Sequence, residues 1–263
     1  MAGDILAHLP TQVAGTYYEP CLGGGAVFFA LASAGRLRRA VIADINPELC
    51  CAYRAVRDDS LEVLRALAGH RERDSQEHYY EVRAAEPEHL SGIERGARFL
   101  YLCMTAFNGL WRENRKGRMN SPWGKRTFCQ SALAFASYAR QLEAASTLLS
   151  LAEIRCGDFA ETLADVSAED AVYIDPPYLP RTRTASFTAY AARRFDSAEH
   201  LRLARTARAA AERGATVLMS NADTPEARTL YPGAALTELS ALRRIAARAT
   251  SRATVQDLLI HFA

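Results

Sequence analysis

The chain has 263 residues, of which 49% are hydrophobic and 24% are charged, a balance typical of a folded globular protein. Its net charge of +2 is too small to indicate a polyanionic partner for the whole surface, so any nucleic-acid footprint has to be local. The six cysteines lack Cys-x-x-Cys spacing and the six histidines are scattered, which argues against a metal site or a disulfide framework. Without an apolar run of about 18 residues or a signal-peptide pattern, the chain is expected to be cytoplasmic and to make no membrane contact.

Short apolar runs alternate with helical patterns along most of the chain. Those suited to buried strands cover residues 16–19, 40–43, 152–156, 171–174 and 216–219. Such alternation predicts an α/β domain with a largely parallel sheet. Residues 235–239 and 254–262 are expected to pair as an antiparallel edge.

Helix boundaries are signalled at two places between these runs. A helix expected over residues 26–34 ends at Gly35, where glycine suits the turn after a helix. Residues 196–199 read as a capping box, in which Asp196 and Glu199 would bond the start of the helix reciprocally. The alanine-rich helix that follows is expected to end near Gly214.

The stretch from residue 58 to residue 150 breaks the alternation. It is helical at both ends and has a polar loop rich in glycine and asparagine in the middle. We therefore predict one domain from residues 1–57 and 151–263, with residues 58–150 inserted as a second domain. Six of the residues from Phe107 to Arg126 are lysine or arginine and one is acidic, so the positive charge is local. A solvated helix or loop face is the alternative explanation of such a charge run.

A glycine-rich segment, Glu19 to Ala26, follows the first predicted strand and leads into a helix. Nucleotide-like ligands bind at this place in open α/β folds, because glycines let the backbone approach the ligand closely. The dinucleotide pattern Gly-x-Gly-x-x-Gly fails at its third position, which is Phe28. A ligand without phosphates is therefore favoured over a dinucleotide, and a plain strand-to-helix turn remains an equal alternative.

Acidic residues follow two further predicted strands. Asp44, nineteen residues after Gly25, can accept hydrogen bonds from both hydroxyls of a ribose. It could instead cap the next helix, a role that Asn46 could also fill. Asp158 and Phe159 offer an acceptor for an adenine amino group and a ring to cover it, or else are a loop acid and a core phenylalanine. Together these residues favour an adenosine-containing cofactor.

The tetrad Asp175-Pro176-Pro177-Tyr178 comes directly after the predicted strand 171–174. Proline fixes φ and has no N–H to donate, so the carbonyls of this turn are held as acceptors beside the Asp175 carboxylate. The tetrad therefore offers acceptors to an NH2 group and the Tyr178 ring to a planar base. The alternative is an ordinary Pro-Pro turn at the end of a strand.

Taken together, these motifs resemble the Dam-type DNA adenine-N6 methyltransferases, the alpha group or D12 class. The most specific is Asn-Gly-Leu-x-Arg-x-Asn-x-x-Gly-x-x-Asn-x-Pro-x-Gly, from Asn108 to Gly124. The other matching segments are the glycine loop, residues 44–46, the tetrad, Phe187-Thr188-Ala189-Tyr190 and Ser220-Asn221. The resemblance implies a Rossmann-like class I methyltransferase sheet with an inserted, mainly helical DNA-recognition domain.

The resemblance also implies the ligands and the residues that hold them. The methyl donor would be S-adenosyl-L-methionine and the partner double-stranded DNA, bound by a monomer or weak dimer without a metal. The cofactor residues would be Glu19, Pro20, Cys21, Gly23, Gly25, Asp44, Ile45, Asp158, Phe159 and Asp175. The catalytic residues would be Asp175, Pro176, Pro177 and Tyr178.

In this family's reaction the target adenine leaves the duplex and stacks on the aromatic ring of the tetrad. The Asp175 carboxylate and the Pro176 carbonyl would accept the two N6 hydrogens and aim the nitrogen lone pair at the sulfonium methyl group. Position and fixed dipoles suffice for this chemistry, so neither a metal nor a strong base is required.

Reading of the DNA sequence would fall to the inserted domain. Arg112 could hold guanine O6 and N7, and Leu110 and Pro122 could meet thymine methyl groups or wedge into the stack. Lys125 and Arg126 would join in phosphate contacts. The whole predicted DNA-binding set is Phe107, Asn108, Leu110, Arg112, Asn114, Arg115, Lys116, Asn120 and Pro122. The target, GATC or a similar short site, is inherited from the resemblance.

One departure from the family pattern supports a second hypothesis. Family members usually begin with a Lys-Trp-x-Gly-x-Lys stretch that covers the cofactor, and this sequence starts about ten residues too late to contain it. The alternative function is therefore a catalytically impaired DNA-binding protein that lacks this motif. Methylation of RNA or of cytosine N4 is a third option, and a role in restriction-modification, in a phage or in host regulation is left open.

Overall fold

A computed structural model describes residues 2–114, 116–179, 195–242 and 254–262 of the chain. Within them, seven strands form one sheet in the order β3-β2-β1-β4-β5-β7-β6. The strands are β1 Tyr17–Glu19, β2 Ala40–Asp44, β3 Ala152–Cys156, β4 Ala171–Ile174, β5 Thr216–Ala222, β6 Ala235–Leu242 and β7 Thr254–Phe262. The first five strands pair in parallel, whereas β7 runs antiparallel to both β5 and β6.

The predicted fold class is confirmed by this sheet. A mostly parallel, Rossmann-like sheet with an antiparallel C-terminal edge is present, and each predicted strand lies within two residues of its observed start. β4 is buried at all four positions, as expected for a central parallel strand covered on both faces. β5 continues to Ala222, three residues beyond the predicted end, and this extension brings Ser220 and Asn221 to the same edge of the sheet as the tetrad.

Helices are the second component of the fold. The described α-helices are α1 Ala2–His8, α2 Ala26–Ser33, α3 Pro47–Glu72, α4 Gln76–Ala84, α5 Gly92–Thr105, α6 Ala132–Leu149, α7 Phe159–Leu163, α8 Ser197–Glu212 and α9 Pro225–Leu230. Short 3-10 helices cover Pro87–His89 and Phe107–Gly109. Asp196 caps α8 through its carboxylate, but Glu199 pairs with Arg202 rather than completing the predicted capping box.

The described residues divide into two compact units. One contains the sheet and comprises residues up to Ile45 with the described parts of 151–187 and 195–263. The other contains Asn46–Ser150 and is mainly helical. Residue 58, the predicted boundary, lies inside α3 next to a kink at Asp59, whose φ of −155° is not helical. The Asp59 carboxylate accepts the Glu62 amide at 3.0 Å, so it caps the second half of this helix.

The helical unit is built by close packing of α3 and α5. A Cβ atom at Gly96 would lie 2.7 Å from the Ala55 Cβ, so glycine is required where these two helices touch. The start of α5 carries a complete capping box between Ser91 and Glu94. Buried Glu48 joins α3 to α5 through ion pairs with Arg95 and Arg98.

Neither a membrane-spanning helix nor a metal-binding cluster occurs among the described residues. None of the helices there is long and apolar enough to cross a membrane. The histidine, cysteine and acidic side chains in this part of the chain form no group of three or more that could hold a metal ion.

Candidate active site and recognition segment

The glycine loop is fixed to the sheet by two acidic side chains. Glu19 is only 2% exposed, and its Oε2 accepts the Tyr17 hydroxyl at 2.6 Å and the Phe28 amide at 2.9 Å. The Gly23 amide donates to Asp44 Oδ2 at 3.0 Å. Gly23 and Gly25 adopt φ of 49° and 65°, which a side chain would strain. A Cβ at Gly23 would meet nothing within 4 Å, so the loop borders open space into which a ligand could come close to the backbone.

The end of β2 settles the capping alternatives for α3. Asn46 Oδ1 accepts the Glu48 amide at 2.9 Å and the Leu49 amide at 3.3 Å, so Asn46 is the N-cap. Asp44 instead accepts the Gly23 amide of the glycine loop. Ile45, the residue between them, is 57% exposed, which is unusual for a large apolar side chain at a strand end and suits a position that a ligand covers.

Asp158 has a partner that the sequence did not reveal. Its Oδ1 accepts the Ala160 amide at 2.8 Å as the N-cap of α7. Arg202, from α8, also binds both carboxylate oxygens, at 2.7 and 2.6 Å, and its guanidinium carbon lies 3.9 Å from the centre of the Phe159 ring. The acceptor and ring that we assigned to adenine are therefore already engaged by a cation. Nothing in the Ala/Arg-rich sequence of α8 distinguishes Arg202 from its neighbours.

The tetrad's carboxylate is oriented by a chain of hydroxyl groups. The Tyr173 hydroxyl donates to Ser220 Oγ at 2.9 Å, and the Ser220 hydroxyl donates to Asp175 Oδ1 at 2.5 Å. Tyr173 and Ser220 are buried, whereas Asp175 is exposed. Burial and the negative charge of Asp175 raise the pKa of Tyr173 above its usual range, so this hydroxyl keeps its proton. The carboxylate is thus accessible but fixed in direction.

The backbone after the tetrad is fixed as well. The Leu179 amide donates to Asn221 Oδ1 at 3.1 Å, and both residues are buried. Pro176 is buried, Pro177 is exposed, and Tyr178 is half-buried. Ser220 and Asn221, which the family resemblance had picked out as a pair, therefore support the same turn at two points.

Four of the predicted acidic residues lie close enough to Cys21 to act electrostatically on its thiol. Burial raises the pKa of Cys21 well above its usual range, and the carboxylates of Asp44, Asp175, Glu19 and Asp158 raise it further. These four acids come from the ends of different strands, and all act on a single thiol. Glu19 itself has its pKa raised to about 8 by burial, reinforced by the charge of Asp175. The site is therefore rich in acids at the carboxyl edge of the sheet, where ligands bind in open α/β folds.

The recognition segment, Phe107–Gly124, forms a short hairpin in the helical unit. The Asn120 amide donates to the Arg112 carbonyl and the Asn114 amide to the Arg118 carbonyl, both at 2.8 Å. The turn is closed by the Asn114 side chain, which accepts the amides of Lys116 and Arg118 at 2.8 and 3.1 Å. Asn114, predicted to contact DNA, thus has a structural task in the turn.

Anchors from the helices hold the base of the hairpin. The Ser121 carbonyl accepts Tyr79 Oη at 2.9 Å and Arg83 at 3.0 Å, both from α4. Gly124 lies against the end of α5, where a Cβ would come within 2.6 Å of the Ala106 carbonyl oxygen, so only glycine fits. Phe99 and Trp111 pack with ring centres 4.6 Å apart. The hairpin is therefore held rigidly at its base by packing.

Most of the hairpin side chains that the sequence predicts to contact DNA are accessible to solvent. The exposed ones are Phe107, Asn108, Arg112, Asn114, Lys116, Asn120 and Pro122, together with Lys125 and Arg126. Leu110 is half-buried. Arg112 makes no ion pair with any residue that the structure describes, whereas Arg118 is paired with Glu86 and Glu88. Arg115 and the segment 187–190 lie outside the described residues.

Comparisons with known proteins agree with these features. Among curated relatives, a Type II methyltransferase, M1.LlaDCHI of Lactococcus lactis subsp. cremoris, is 31% identical over 93% of this chain and 85% of its own length. The DNA adenine methylase of Vibrio cholerae is 34% identical over 98% and 90%. That of Escherichia coli K12 is 33% identical over 97% and 88%.

A solved structure, the rRNA methyltransferase aviRa from Streptomyces viridochromogenes, aligns with a TM-score of 0.41 and 18% identity over 98% of this chain and 81% of its own. The curated relatives do not favour the alternative of a catalytically impaired DNA-binding protein.

Enzymes of this kind take their methyl group from S-adenosylmethionine. An acid-rich edge beside an open glycine loop fits a donor that carries a sulfonium cation, an ammonium group and ribose hydroxyls but no phosphate. Residues 1–245 match the D12 class N6 adenine-specific DNA methyltransferases. With that match and the relatives above, the chain belongs to this family and is an S-adenosylmethionine-dependent DNA adenine-N6 methyltransferase.

Proposed function

We propose that the chain methylates the N6 amino group of a flipped-out adenine in a short duplex site, GATC or a similar sequence. The observation that carries this proposal is the exposed Asp175 carboxylate, which buried Tyr173 and Ser220 hold in one direction beside two prolines. A carboxylate that only ended a strand would not need two buried hydroxyls behind it. A carboxylate that has to accept a hydrogen bond along a fixed direction needs such hydroxyls to orient it.

In the proposed reaction, the amino group of adenine donates one hydrogen to the Asp175 carboxylate and the other to the Pro176 carbonyl. Both acceptors lie in the turn that follows β4, and the base stacks on the half-buried ring of Tyr178. These bonds draw the nitrogen toward a tetrahedral geometry and direct its lone pair at the methyl carbon. As the N–C bond formed, the bond between the methyl carbon and the donor sulfur would break and leave its electron pair on sulfur. The nitrogen would then be cationic, and one of its protons would pass to the Asp175 carboxylate. Stacking offsets part of the few kcal/mol that extrusion of a base costs.

The acidic edge would hold the methyl donor, which supplies an activated methyl group on a sulfonium. Asp44 would meet the ribose hydroxyls, with Ile45 covering one side of the adenine ring. Phe159 would cover the other side only if Arg202 left the face of its ring. Pro20 and Cys21 would line the donor pocket beside Gly23 and Gly25. Asp175 would provide negative charge near the cationic end, and Glu19, which keeps its proton near pH 7, would support the glycine loop as a neutral acid. Asp158 would accept the adenine amino group only alongside its ion pair with Arg202.

The recognition segment would select the site on DNA. Arg112, exposed and without an ion pair among the described residues, has the charge and the fork geometry to hold guanine O6 and N7. Leu110 and Pro122 would contact thymine methyl groups or the base stack, and Asn108 a base edge or a phosphate. Lys116, Lys125 and Arg126 would contact phosphates, with Arg115 in the same predicted set.

The test is transfer of labelled methyl groups to two duplexes of equal composition, one containing GATC and one with the same bases reordered. We expect N6-methyladenine, identified by nucleoside analysis, in the GATC duplex and at most a small fraction of that amount in the other. Equal labelling of both duplexes would contradict the proposed recognition sequence. Label on cytosine, or a preference for RNA, would contradict the assignment of the tetrad to an adenine amino group.

A further inference from the structure

Behind the tetrad lies a second buried chain of polar side chains, separate from the Tyr173 and Ser220 hydroxyls. His200 on α8 is 0% exposed, Tyr231 after α9 is 2% exposed, and Asn221 on β5 is 0% exposed. Asn221 Nδ2 donates to Tyr231 Oη at 2.9 Å, and Tyr231 Oη lies 3.1 Å from His200 Nδ1. The other end of Asn221, its Oδ1, accepts the Leu179 amide at 3.1 Å. Three elements of the fold thus meet at the turn that bears Tyr178.

The direction of each hydrogen bond in this chain is fixed by chemistry. An amide nitrogen such as Asn221 Nδ2 can only donate, so Tyr231 Oη accepts from it. His200 Nδ1 is the acceptor within reach of the hydroxyl hydrogen of Tyr231 among the described residues, so we assign Nδ1 as the accepting atom. Burial lowers the pKa of His200 to about 4, so the ring is neutral near pH 7. A neutral imidazole that accepts at Nδ1 carries its proton on Nε2.

The Nε2 atom of His200 has no hydrogen-bond partner among the described residues, although it is buried. Nearly every buried donor in a protein has a partner, so this one calls for an explanation. Against the effect of burial, the charge of Glu226, the Pro177 carbonyl and the charge of Asp196 each raise the pKa of His200, and the carbonyl does so as a hydrogen-bond acceptor of the ring. Phe195 packs against the His200 ring in an edge-to-face arrangement, with the ring centres 4.8 Å apart.

We propose that His200 is a positioning residue for methyl transfer, whose Nε2–H is directed at the Pro177 carbonyl in the turn that bears Tyr178. This proposal rests on the proposed role of the tetrad. With Asn221 holding the Leu179 amide, both backbone groups flanking Tyr178 are then fixed from behind. The carbonyl of Pro177 is occupied, so the neighbouring carbonyl of Pro176 is the one presented to the base. His200 touches neither base nor cofactor and acts through the turn.

Two substitutions of His200 separate this role from simple core filling. His200→Gln keeps an N–H donor near the position of Nε2. His200→Asn instead keeps an acceptor near Nδ1 for Tyr231 but removes the donor. Both place an amide in the same buried space. We expect His200→Asn to lower kcat by about 10- to 100-fold, because small misplacements of a reacting group have effects of this size, and His200→Gln to stay within about 5-fold of wild type.

The Michaelis constant for duplex DNA and the dissociation constant of S-adenosylhomocysteine should be unchanged in both variants, since neither ligand contacts His200. Thermal unfolding measured on the same samples shows how far each change disturbs the core. If activity follows unfolding temperature and not the presence of the donor, or if kcat is unchanged in His200→Asn, the positioning role is wrong.

A measurement that does not depend on catalysis keeps this inference separate from the proposed function. Nitrogen NMR of protein labelled at histidine reports which ring nitrogen carries the proton. We expect His200 to be neutral and protonated at Nε2 near pH 7, and Tyr231→Phe to release Nδ1 and give a mixture of tautomers. A proton on Nδ1 in the unmodified protein would overturn the inference, whether or not the enzyme methylates GATC.

Discussion

The Asp175 turn and the tip of the recognition segment are held in place in opposite ways. The turn is fixed by buried side chains that are distant in sequence, with Ser220 and Asn221 more than forty residues beyond the groups they bind. The hairpin tip is instead closed by its own residues, through Asn114 and the backbone bonds of Arg112 and Arg118. Methyl transfer needs atoms fixed within a fraction of an ångström, which buried contacts provide. Reading DNA needs exposed cations that can adjust to the duplex.

The sharpest way to test the first half of this comparison is to remove the charge of Asp175. In Asp175→Asn, the proposed acceptor for the adenine amino group becomes weaker, and the amide presents an N–H donor in place of one carboxylate oxygen. We expect kcat to fall by at least about 100-fold, the effect of removing one fixed electrostatic group from an active site. The measurement is single-turnover methyl transfer at saturating DNA.

Glu212→Gln, a change at an exposed acid at the end of α8, is the matched control for Asp175→Asn and should leave the rate unchanged. The Asp175 variant should still bind duplex DNA, since the recognition segment is untouched. A rate within a few-fold of wild type in Asp175→Asn would contradict the role assigned to this carboxylate.

Because Glu19 is buried, the stability of the unit that contains the sheet should also depend on pH. Folded Glu19 keeps its proton up to about pH 8, whereas a glutamic acid in the unfolded chain loses it near 4.5. The folded state therefore binds more protons between these values, and stability falls as the pH rises through this window. Glu19→Gln removes that loss, and we expect its advantage over wild type to grow by about 1.4 kcal/mol per pH unit.

Urea unfolding of the cofactor-free protein at a series of pH values between 5 and 9 measures this difference. The glutamine can still accept the Tyr17 hydroxyl and the Phe28 amide, so the comparison isolates the charge. If both proteins lose stability in parallel as the pH rises, Glu19 is ionised in the fold and its surroundings have been misjudged.

In the recognition segment, the largest expected effect is on sequence choice. Arg112→Ala should reduce discrimination at one guanine by about 1–3 kcal/mol, because a bidentate contact is lost. Competition binding with duplexes altered at each position of the site measures the change. Arg118→Ala is the control in the same hairpin, since its guanidinium is already paired with Glu86 and Glu88. Unchanged discrimination in Arg112→Ala, or equal changes in both variants, would mean that Arg112 does not read a base.

The smallest expected effect is a loss of affinity for duplex DNA that does not depend on its sequence. Lys116→Ala should weaken binding to all duplexes alike and reduce the slope of log affinity against log salt by about 1, as loss of one phosphate contact requires. Arg65→Ala, on an exposed side chain of α3 that is paired with Glu62, should leave the slope unaltered. A change in sequence preference with Lys116→Ala would show that the tip does more than neutralise phosphates.

The same difference between the two regions explains what the sequence could and could not predict. Apolar runs and capping signals predicted the strands and the position of the tetrad, because burial and helix ends leave local patterns. The exposed tip was also predictable, since its charges and glycines are adjacent in sequence. The partners of the turn were harder to find: Tyr173, Tyr231 and His200 carry no local sign of their hydrogen bonds. The ion pair between Arg202 and Asp158 was missed for the same reason.

One alternative that the sequence left open and one helix-capping prediction were decided by geometry. Asn46, not Asp44, caps α3, because only Asn46 has its side-chain oxygen in reach of the first amides of the helix. The predicted capping box at α8 is half formed, since Glu199 is drawn to the Arg202 guanidinium. The Asp44 carboxylate accepts the Gly23 amide, and the Glu199 carboxylate pairs with Arg202, although each could have capped a helix. Sequence spacing alone cannot show which of two such partners a carboxylate binds.

The central claim is that buried hydroxyls make Asp175 effective by fixing its direction, and one measurement tests it most directly. It compares the single-turnover rate of methyl transfer in wild type, in Ser220→Ala and in the double variant Ser220→Ala with Tyr173→Phe. The double variant leaves no buried hydroxyl without a partner, so it separates loss of orientation from loss of stability. We predict that both variants bind DNA and S-adenosylhomocysteine normally and transfer methyl about tenfold more slowly. Recovery of the wild-type rate in the double variant, or no loss in Ser220→Ala, would contradict the account.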